Sequence, residues 1–302
     1  MPEPSSARRA LLVINRKSRQ GQSPADAAID VLERDGIRLH REDCLAPDEL
    51  AATIRRLRDD VDLVVLGGGD GTLNTAAPAL IESGLPLGIL PLGTANDLAR
   101  TLNLPADLRA AAQVIVDGHV RRIDLGEVNG HPFFNVASMG LSVGMAYELT
   151  HDVKQRWGRL GYAVATARAL SRMRPFSAEI RYDGEVHKVR TLQISVGNGR
   201  YYGGGMTVEQ GATIDDGRLD LYSLEFDRLW KLALVYPAFR SGRHGMWKEV
   251  RTVSCTEVEI RTRRPRAINT DGEITTQTPA HFKVLRKAVA VLAPAETGAS
   301  NT

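Results

Sequence analysis

The sequence predicts an α/β domain built on a doubly wound parallel sheet over residues 1–124, followed by a mainly antiparallel β domain over 125–295. Strand and helix signals alternate through the first 125 residues, the pattern of successive βα units. Val61–Leu66 is a continuous apolar run, as a parallel strand buried on both faces requires. Beyond Asp124 the pattern changes. Asn129-Gly130 separates LGEV from HPFFNV, and Asp183-Gly184 separates SAEIRY from EVHKV. Both dipeptides accept the positive φ of a type I′ hairpin turn.

Each element has a local reason. Ala10–Ile14 is a short apolar strand. Ser23-Pro24 opens a helix, with Ser as N-cap and Pro at the first helical position, and Gly36 ends it. Ile37–Asp43 reads as the second strand, Asp48–Leu57 as a helix and Val61–Leu66 as the third strand. The helix after the glycine-rich turn contains Pro78, which requires a start near Thr75 or a kink. Leu87–Leu90 is the fourth strand, and Asn96–Leu102 a further helix. In the second domain LQISVG, RLDLYSL, CTEVEIRT, HFKVL and AVAVLAP read as short strands, interrupted by helical stretches near 151–173 and 228–240. The last strand is free to return to the first domain. The small polar residues of 296–302 predict a disordered tail.

With 302 residues, 43% hydrophobic and 25% charged, the composition is that of an ordinary globular chain. Two cysteines, Cys44 and Cys255, exclude a disulfide framework and a cysteine zinc site, and favour a cytoplasmic location. The run LLVIN after MPEPSSARRA is too short for a signal-peptide core. No apolar stretch approaches the roughly 20 residues of a membrane helix, so membrane contact is expected to be peripheral, at the inner surface. A net charge of +3 gives no ground for a nucleic-acid partner. The seven histidines show no metal-ligand spacing.

The most informative segment is VDLVVLGGGDGTLNTAA, residues 61–77, which runs from buried strand through glycine turn to helix. Gly67, Gly68, Gly69 and Gly71 let the backbone approach a ligand closely. The turn amides and the following helix N-terminus form an anion site suited to phosphate, and Thr72 can cap the helix or bond a phosphate oxygen. Asp70 inside such a loop repels phosphate unless a divalent metal or a protonation role intervenes. The loop matches neither the Walker pattern nor the dinucleotide fingerprint.

GGGDGTLN resembles the signature of the diacylglycerol kinase catalytic-domain superfamily, which also holds sphingosine and ceramide kinases and is distantly related to NAD kinases and phosphofructokinases. LGILPLGTANDLARTL (87–102) looks like the second lipid-kinase block, with Gly93, Thr94, Asn96 and Asp97 its distinctive residues. ISVGNGRYYGGGM (194–206), IDDGRLDL (214–221) and INTDGE (268–273) resemble further blocks in the same order, and the closest likeness is to the short bacterial YegS-like group. Two positions depart from the pattern. Arg16 stands where the family has proline in its Asn-Pro-x-Ser-Gly start, and Thr75 stands where it commonly has Glu.

The resemblance implies an NAD kinase/phosphofructokinase-like first domain and an ATP- and Mg²⁺-dependent transfer of phosphate to a lipid hydroxyl. It places ATP phosphates on Gly67, Gly68, Gly69, Asp70, Gly71, Thr72 and Leu73, with Asn15, Ser18, Thr94 and Asn96 close by. Asp70 and Asp97 form an acidic pair. Glu273 is the general base, with Asp70 its rival, and Asp271 supports the site or binds Mg²⁺. A structural Mg²⁺ is held by the Asp216 carboxylate with the carbonyls of Thr213 and Arg218. On physical grounds alone, Asp97 as a helix cap, Asp271-Gly272 as a hairpin turn and Asp216 in a solvated acidic turn explain the same residues.

Residues 151–175 carry Trp157, Leu160, Val164, Ala167 and Leu170 at helical spacing among six Lys/Arg, a pattern suited to an anionic membrane surface or to a core-facing helix. Arg240, Arg243, Lys248 and Arg251 cluster around Trp247, and Arg261, Arg263, Arg264 and Arg266 form a third basic group. The lipid could be diacylglycerol-like or phosphatidylglycerol-like, and a homodimer is left open. The competing functions are a kinase of a soluble substrate, NAD kinase-like, and a non-catalytic nucleotide sensor.

Overall fold

A computed structural model describes residues 7–15, 22–42, 46–143, 174–199, 201–202, 206–207, 213–226 and 250–295. The chain divides into two compact units, 1–123 with 287–302, and 124–286. The expected helices near 151–173 and 228–240 and the tail from 296 lie outside the described residues.

The first unit contains β1 (Arg9–Ile14), α1 (Gln22–Arg34), β2 (Arg38–Glu42), α2 (Pro47–Arg56), β3 (Leu63–Gly68), α3 (Asp70–Ser83), β4 (Leu87–Pro91), α4 (Asp97–Thr101) and α5 (Leu108–Asp117). Its strands run parallel in the order β2-β1-β3-β4. Every residue of β3 and β4 is buried, which accounts for their unbroken apolar runs. Ala28 and Leu32 of α1 and Ala111, Ala112 and Ile115 of α5 share one core with Ala10, Leu12, Leu63 and Val65. Helices α2 and α3 pack together as a second pair. Strand order reverses between β1 and β3, the switch point at which open α/β sheets bind ligands beyond their strand C-termini.

Three local expectations change. Helix α1 begins at Gln22, so Ser23 lies inside its first turn and is not its cap. Helix α3 begins at Asp70 and runs unbroken through Pro78, well before the start near Thr75. Proline has no N–H for the carbonyl four residues back, and eight turn-forming residues ahead of it with a buried face keep the helix intact. Helix α5 was not anticipated, although its signals are present. The Asp107 carboxylate caps it by accepting from the Ala110 amide at 2.9 Å, and Gly118 closes it at φ 73°.

The second unit begins within β5 (Val120–Val128). It contains β6 (His131–Phe133), β7 (Val136–Gly140), β8 (Phe176–Tyr182), β9 (Glu185–Thr191), β10 (Gln193–Gly197), the two-residue β11 (Tyr201–Tyr202) and β12 (Met206–Thr207), β13 (Leu219–Leu224), β14 (Val250–Cys255), β15 (Glu257–Thr262), β16 (Ala267–Thr270) and β17 (Glu273–Gln277). β18 (Ala280–Leu292) leaves this unit and ends in the first, where Val291 pairs in parallel with Leu87. The two segments HFKVL and AVAVLAP are therefore one strand. An antiparallel sheet of order β14-β13-β10-β7-β16-β17 shares a core with β8, β9, β15 and the start of β18. Ile194, Val196, Met139 and Leu221 supply it from the first sheet, and Ile180, Val258, Ile260 and Phe282 from the second. The predicted turns form as read: Asn129 and Gly130 sit at φ 50° and 86°, Asp183 and Gly184 at 49° and 79°.

Candidate active site

The first unit gathers three loops at the C-terminal ends of β1, β3 and β4. Two glycines make the tightest approach. A Cβ on Gly93 would stand 2.5 Å from the Gly69 Cα and 2.6 Å from Asn96 Oδ1, so the turn after β3 crosses the turn after β4 at backbone contact. Only hydrogen fits there. Gly68, the last residue of β3, is constrained by the first turn of α3, since a Cβ would meet Thr72 Oγ1 at 2.6 Å.

Polar bonds fix the crossing. Asp70 is the first residue of α3, yet its Oδ1 accepts from the Leu98 amide, 3.1 Å away in the first turn of α4. It caps the neighbouring helix. Asn96, the N-cap of α4, has a left-handed backbone and makes no side-chain cap bond; its Nδ2 instead donates to the Gly93 carbonyl at 3.0 Å. Asp97 is the first helical residue, is 6% exposed, and is not the cap. On the other side, Asn15 donates its amide N–H to Gly67 O at 2.7 Å and its Nδ2 to Thr72 Oγ1 at 3.2 Å. Thr72 thus receives the loop after β1 and does not cap α3. Leu73 is buried, Thr94 is exposed, and Ser18 lies outside the described residues. The first turn of α3, with the turns of β1 and β4 beside it, stands at the switch point, where open α/β sheets take their ligands; within it the Thr72 and Leu73 amides donate to Gly69 O at 3.0 and 3.2 Å.

The second unit holds the remaining predicted residues. Asp271 and Gly272, at φ 49° and 104°, turn β16 into β17, and Glu273 opens β17 with an exposed side chain. The expected hairpin turn is present. Asp271 accepts from the backbone amides of Phe134, Asn135 and Val136 at 2.7, 3.0 and 3.0 Å. Its carboxylate is thereby committed to holding that segment. In the IDDGR turn, Asp216 accepts from the amides of Arg218 at 2.9 Å and Thr213 at 3.4 Å, and the Arg286 guanidinium packs over Gly217. Asp124, 1% exposed, accepts from Gly217 N at 2.6 Å. Among the described residues no three His, Cys, Asp or Glu side chains cluster as a metal site.

Of the basic groups, 151–173 and Arg240, Arg243, Trp247 and Lys248 lie outside the described residues. Arg251 donates to Glu225 at 2.8 Å, and that bond raises its pKa. Arg261 bonds Glu259, and Arg266 stacks 4.0 Å from the Phe176 ring centroid, where burial lowers its pKa. Arg263 and Arg264 are exposed. Sequence reasoning assigned nothing to Asn198, buried between two glycines after β10, although the Gly-Asn-Gly spacing marks it.

Comparison with known proteins agrees with this architecture. Residues 9–128 match the diacylglycerol kinase catalytic domain, and residues 135–293 match the YegS C-terminal NAD kinase beta sandwich-like domain. A diacylglycerol kinase of Staphylococcus carnosus is 30% identical over 251 residues, covering 82% of each chain. One from Staphylococcus haemolyticus is 30% identical over 242 residues, 80% of this chain and 73% of its own. A solved Bacillus anthracis structure, described as a candidate diacylglycerol kinase, superposes with a TM-score of 0.81 at 27% identity, covering 95% of this chain and 97% of that one. The glycine crossing after β3 and β4, the β-rich second unit and these likenesses lead to one conclusion: the chain belongs to the diacylglycerol kinase family of lipid kinases and uses ATP as phosphoryl donor.

Proposed function

We propose that the protein phosphorylates the free hydroxyl of diacylglycerol, the acceptor named for its Staphylococcus relatives, with a phosphatidylglycerol-like lipid as the nearest alternative. The observation that carries the nucleotide half of this reading is the Gly69–Gly93 crossing, tied by the bond from Leu98 N to Asp70. It builds a cradle from backbone amides without a P-loop lysine. In the reaction the lipid hydroxyl oxygen bonds to the γ-phosphorus while the bond from that phosphorus to the bridging oxygen breaks, and ADP leaves. Gly67–Gly69, Gly71, Thr72 and Leu73, with Asn15, Ser18, Thr94 and Asn96, hold the phosphates in line. Glu273 takes the hydroxyl proton, and Asp271 holds the turn that presents it.

Asp70 and Asp97 suit Mg²⁺, which binds through one or two carboxylates and completes its shell with phosphate oxygens and water. When bound, the ion supplies neutralisation of phosphate charge. A second, structural Mg²⁺ is proposed on the Asp216 carboxylate with the Thr213 and Arg218 carbonyls, a hard-oxygen donor set. The protein meets its substrate by peripheral contact at the cytoplasmic membrane surface. No helix among the described residues is long and apolar enough to cross a membrane.

The test is transfer from radiolabelled ATP to diacylglycerol, phosphatidylglycerol, monoacylglycerol, a sphingoid base and NAD, with a no-acceptor control. Labelled phosphatidic acid is expected. Label in NAD alone overturns the reading, and a Glu273→Gln variant with the wild-type rate removes Glu273 as the base.

A further inference from the structure

We infer that Asn198 is a positioning residue for the proton-accepting turn, acting through the segment Phe134–Val136. The inference rests on Glu273 as the base. Among the described residues, each of the six main-chain polar groups of this segment meets Asp271 or Asn198. The three N–H groups donate to the Asp271 carboxylate, as described. On the carbonyl side, Phe134 O accepts from Asn198 Nδ2 at 3.0 Å, Asn135 O from Asn198 N at 2.9 Å, and Val136 O from Asp271 N at 3.0 Å. Asn198 Nδ2 also donates to Asp124 O at 2.8 Å. Asn198 is 2% exposed and Asn135 3%.

The segment is therefore clasped from two sides. Asp271 grips its three donors and the Val136 carbonyl, and Asn198 grips the other two acceptors. The orientation of the Asn198 amide follows from its partners: turned over, its oxygen would face two carbonyl oxygens. In a buried network each member is held by the others, so loss of one donor loosens the whole. If Asn198 releases the Phe134 and Asp124 carbonyls, the peptides of 134–136 can rotate. The Asp271 carboxylate moves with the amides it accepts from. Glu273 stands two residues further along the same turn, and Gly272 N, bonded to Asn269 Oδ1 at 2.9 Å, transmits the shift into both strands of the hairpin.

The consequence is a selective loss of turnover. A displacement near 1 Å at a reacting group can reduce rate by up to ~100-fold, so a loss of about tenfold in kcat is expected for Asn198→Ala, with KM for ATP changed by less than about twofold. Asn198→Asp keeps the size and sets a carboxylate against two carbonyls, which predicts a larger loss. Asn198→Ala carries no such repulsion and serves where the aspartate variant does not fold.

The deciding measurement is a double-mutant cycle with Glu273→Asp, which shortens the base but leaves a measurable rate. All variants are assayed well below their own melting temperatures. If Asn198 works through the turn, Asn198→Ala reduces kcat by less than about threefold in the Glu273→Asp background. An undiminished tenfold factor there, or a KM for ATP that rises as much as kcat falls, overturns the inference and leaves Glu273 as base intact. Wild-type activity in Glu273→Gln fails the base assignment itself and the inference with it.

Discussion

Gly93→Ala perturbs the proposed phosphate cradle with a single methyl group. The added carbon would stand 2.5 Å from the Gly69 Cα and 2.6 Å from Asn96 Oδ1. Carbon atoms at rest in van der Waals contact lie about 3.5–4.0 Å apart, so one loop must retreat by roughly 1 Å or more. Rotation of a side chain cannot relieve this, because the Gly69 atom is backbone. Forced overpacking of this kind costs about 1–3 kcal/mol. For a unit this size, that is a fall of roughly 2–12 °C in melting temperature. Misplacing the phosphate-binding amides by about 1 Å reduces kcat/KM for ATP by ~100-fold. The gentler Gly69→Ala, whose Cβ meets the Gly93 Cα at 3.0 Å, should fall between wild type and Gly93→Ala. Steady-state kinetics in ATP and differential scanning calorimetry read both effects. A Gly93→Ala protein with wild-type kcat/KM for ATP and unchanged melting would refute the crossing as the element that shapes the cradle.

Asp70→Asn keeps an oxygen for the Leu98 amide but loses the charge, so activity should fall at least ~100-fold with little change in melting, whereas Asp70→Ala should lose about a further 1 kcal/mol with the α4 cap. A chelator added to nucleotide-free protein should lower the melting temperature, and Asp216→Ala should abolish that response; an unchanged melt in the chelator removes the structural Mg²⁺. Cys255 is 1% exposed and its thiol is pushed up to about 11, mainly by burial, so iodoacetamide at pH 8 should label it only after denaturation, as peptide mass spectrometry will show. Glu42 is held below its ordinary 4.5 by hydrogen bonds from His40 and then Arg56, and Glu82 below its 4.5 by Arg55. Depressed carboxylates stabilise the fold fully above that value and less as pH falls through the lower folded-state values, so a small loss of stability should set in below about pH 4.5 and be blunted by salt, in denaturant titrations across pH.

The parallel core was legible because its signals are local. β3 and β4 are buried on both faces, and the sequence carries that as uninterrupted apolar runs. The hairpins at Asn129-Gly130 and Asp183-Gly184 were legible because few other dipeptides accept two positive φ angles in succession. Pro78 misled, since propensity argues against an interior proline while burial of Leu73, Ala76, Ala77 and Leu80 outweighs one missing hydrogen bond. At the site, the residue types came from spacing and resemblance, but their partners did not. Asp70 bonds to an amide 28 positions away and Asp271 to amides 135 to 137 positions away. Nothing in a carboxylate's neighbours along the chain announces a bond of that range. Asn198 escaped for the same reason: its carbonyl partners lie 64 and 74 residues upstream.

These long-range bonds share one logic. A phosphoryl-transfer site needs positioned amides and carboxylates more than it needs covalent chemistry. In the first unit Gly69 and Gly93 remove the side chains that would separate two loops, and the Asp70 carboxylate then closes the gap through Oδ1, leaving Oδ2 outside that bond. In the second unit the Asp271 carboxylate accepts from three amides, and the next carboxylate along the turn is that of Glu273. Asp70 and Asp271 thus order backbone, whereas Glu273 stands exposed at the strand start beside the second of them. That division separates the substitutions by outcome. Asp271→Asn should disturb the fold of the turn as well as the rate, while Glu273→Gln, at an exposed strand start, should remove activity without altering the melt.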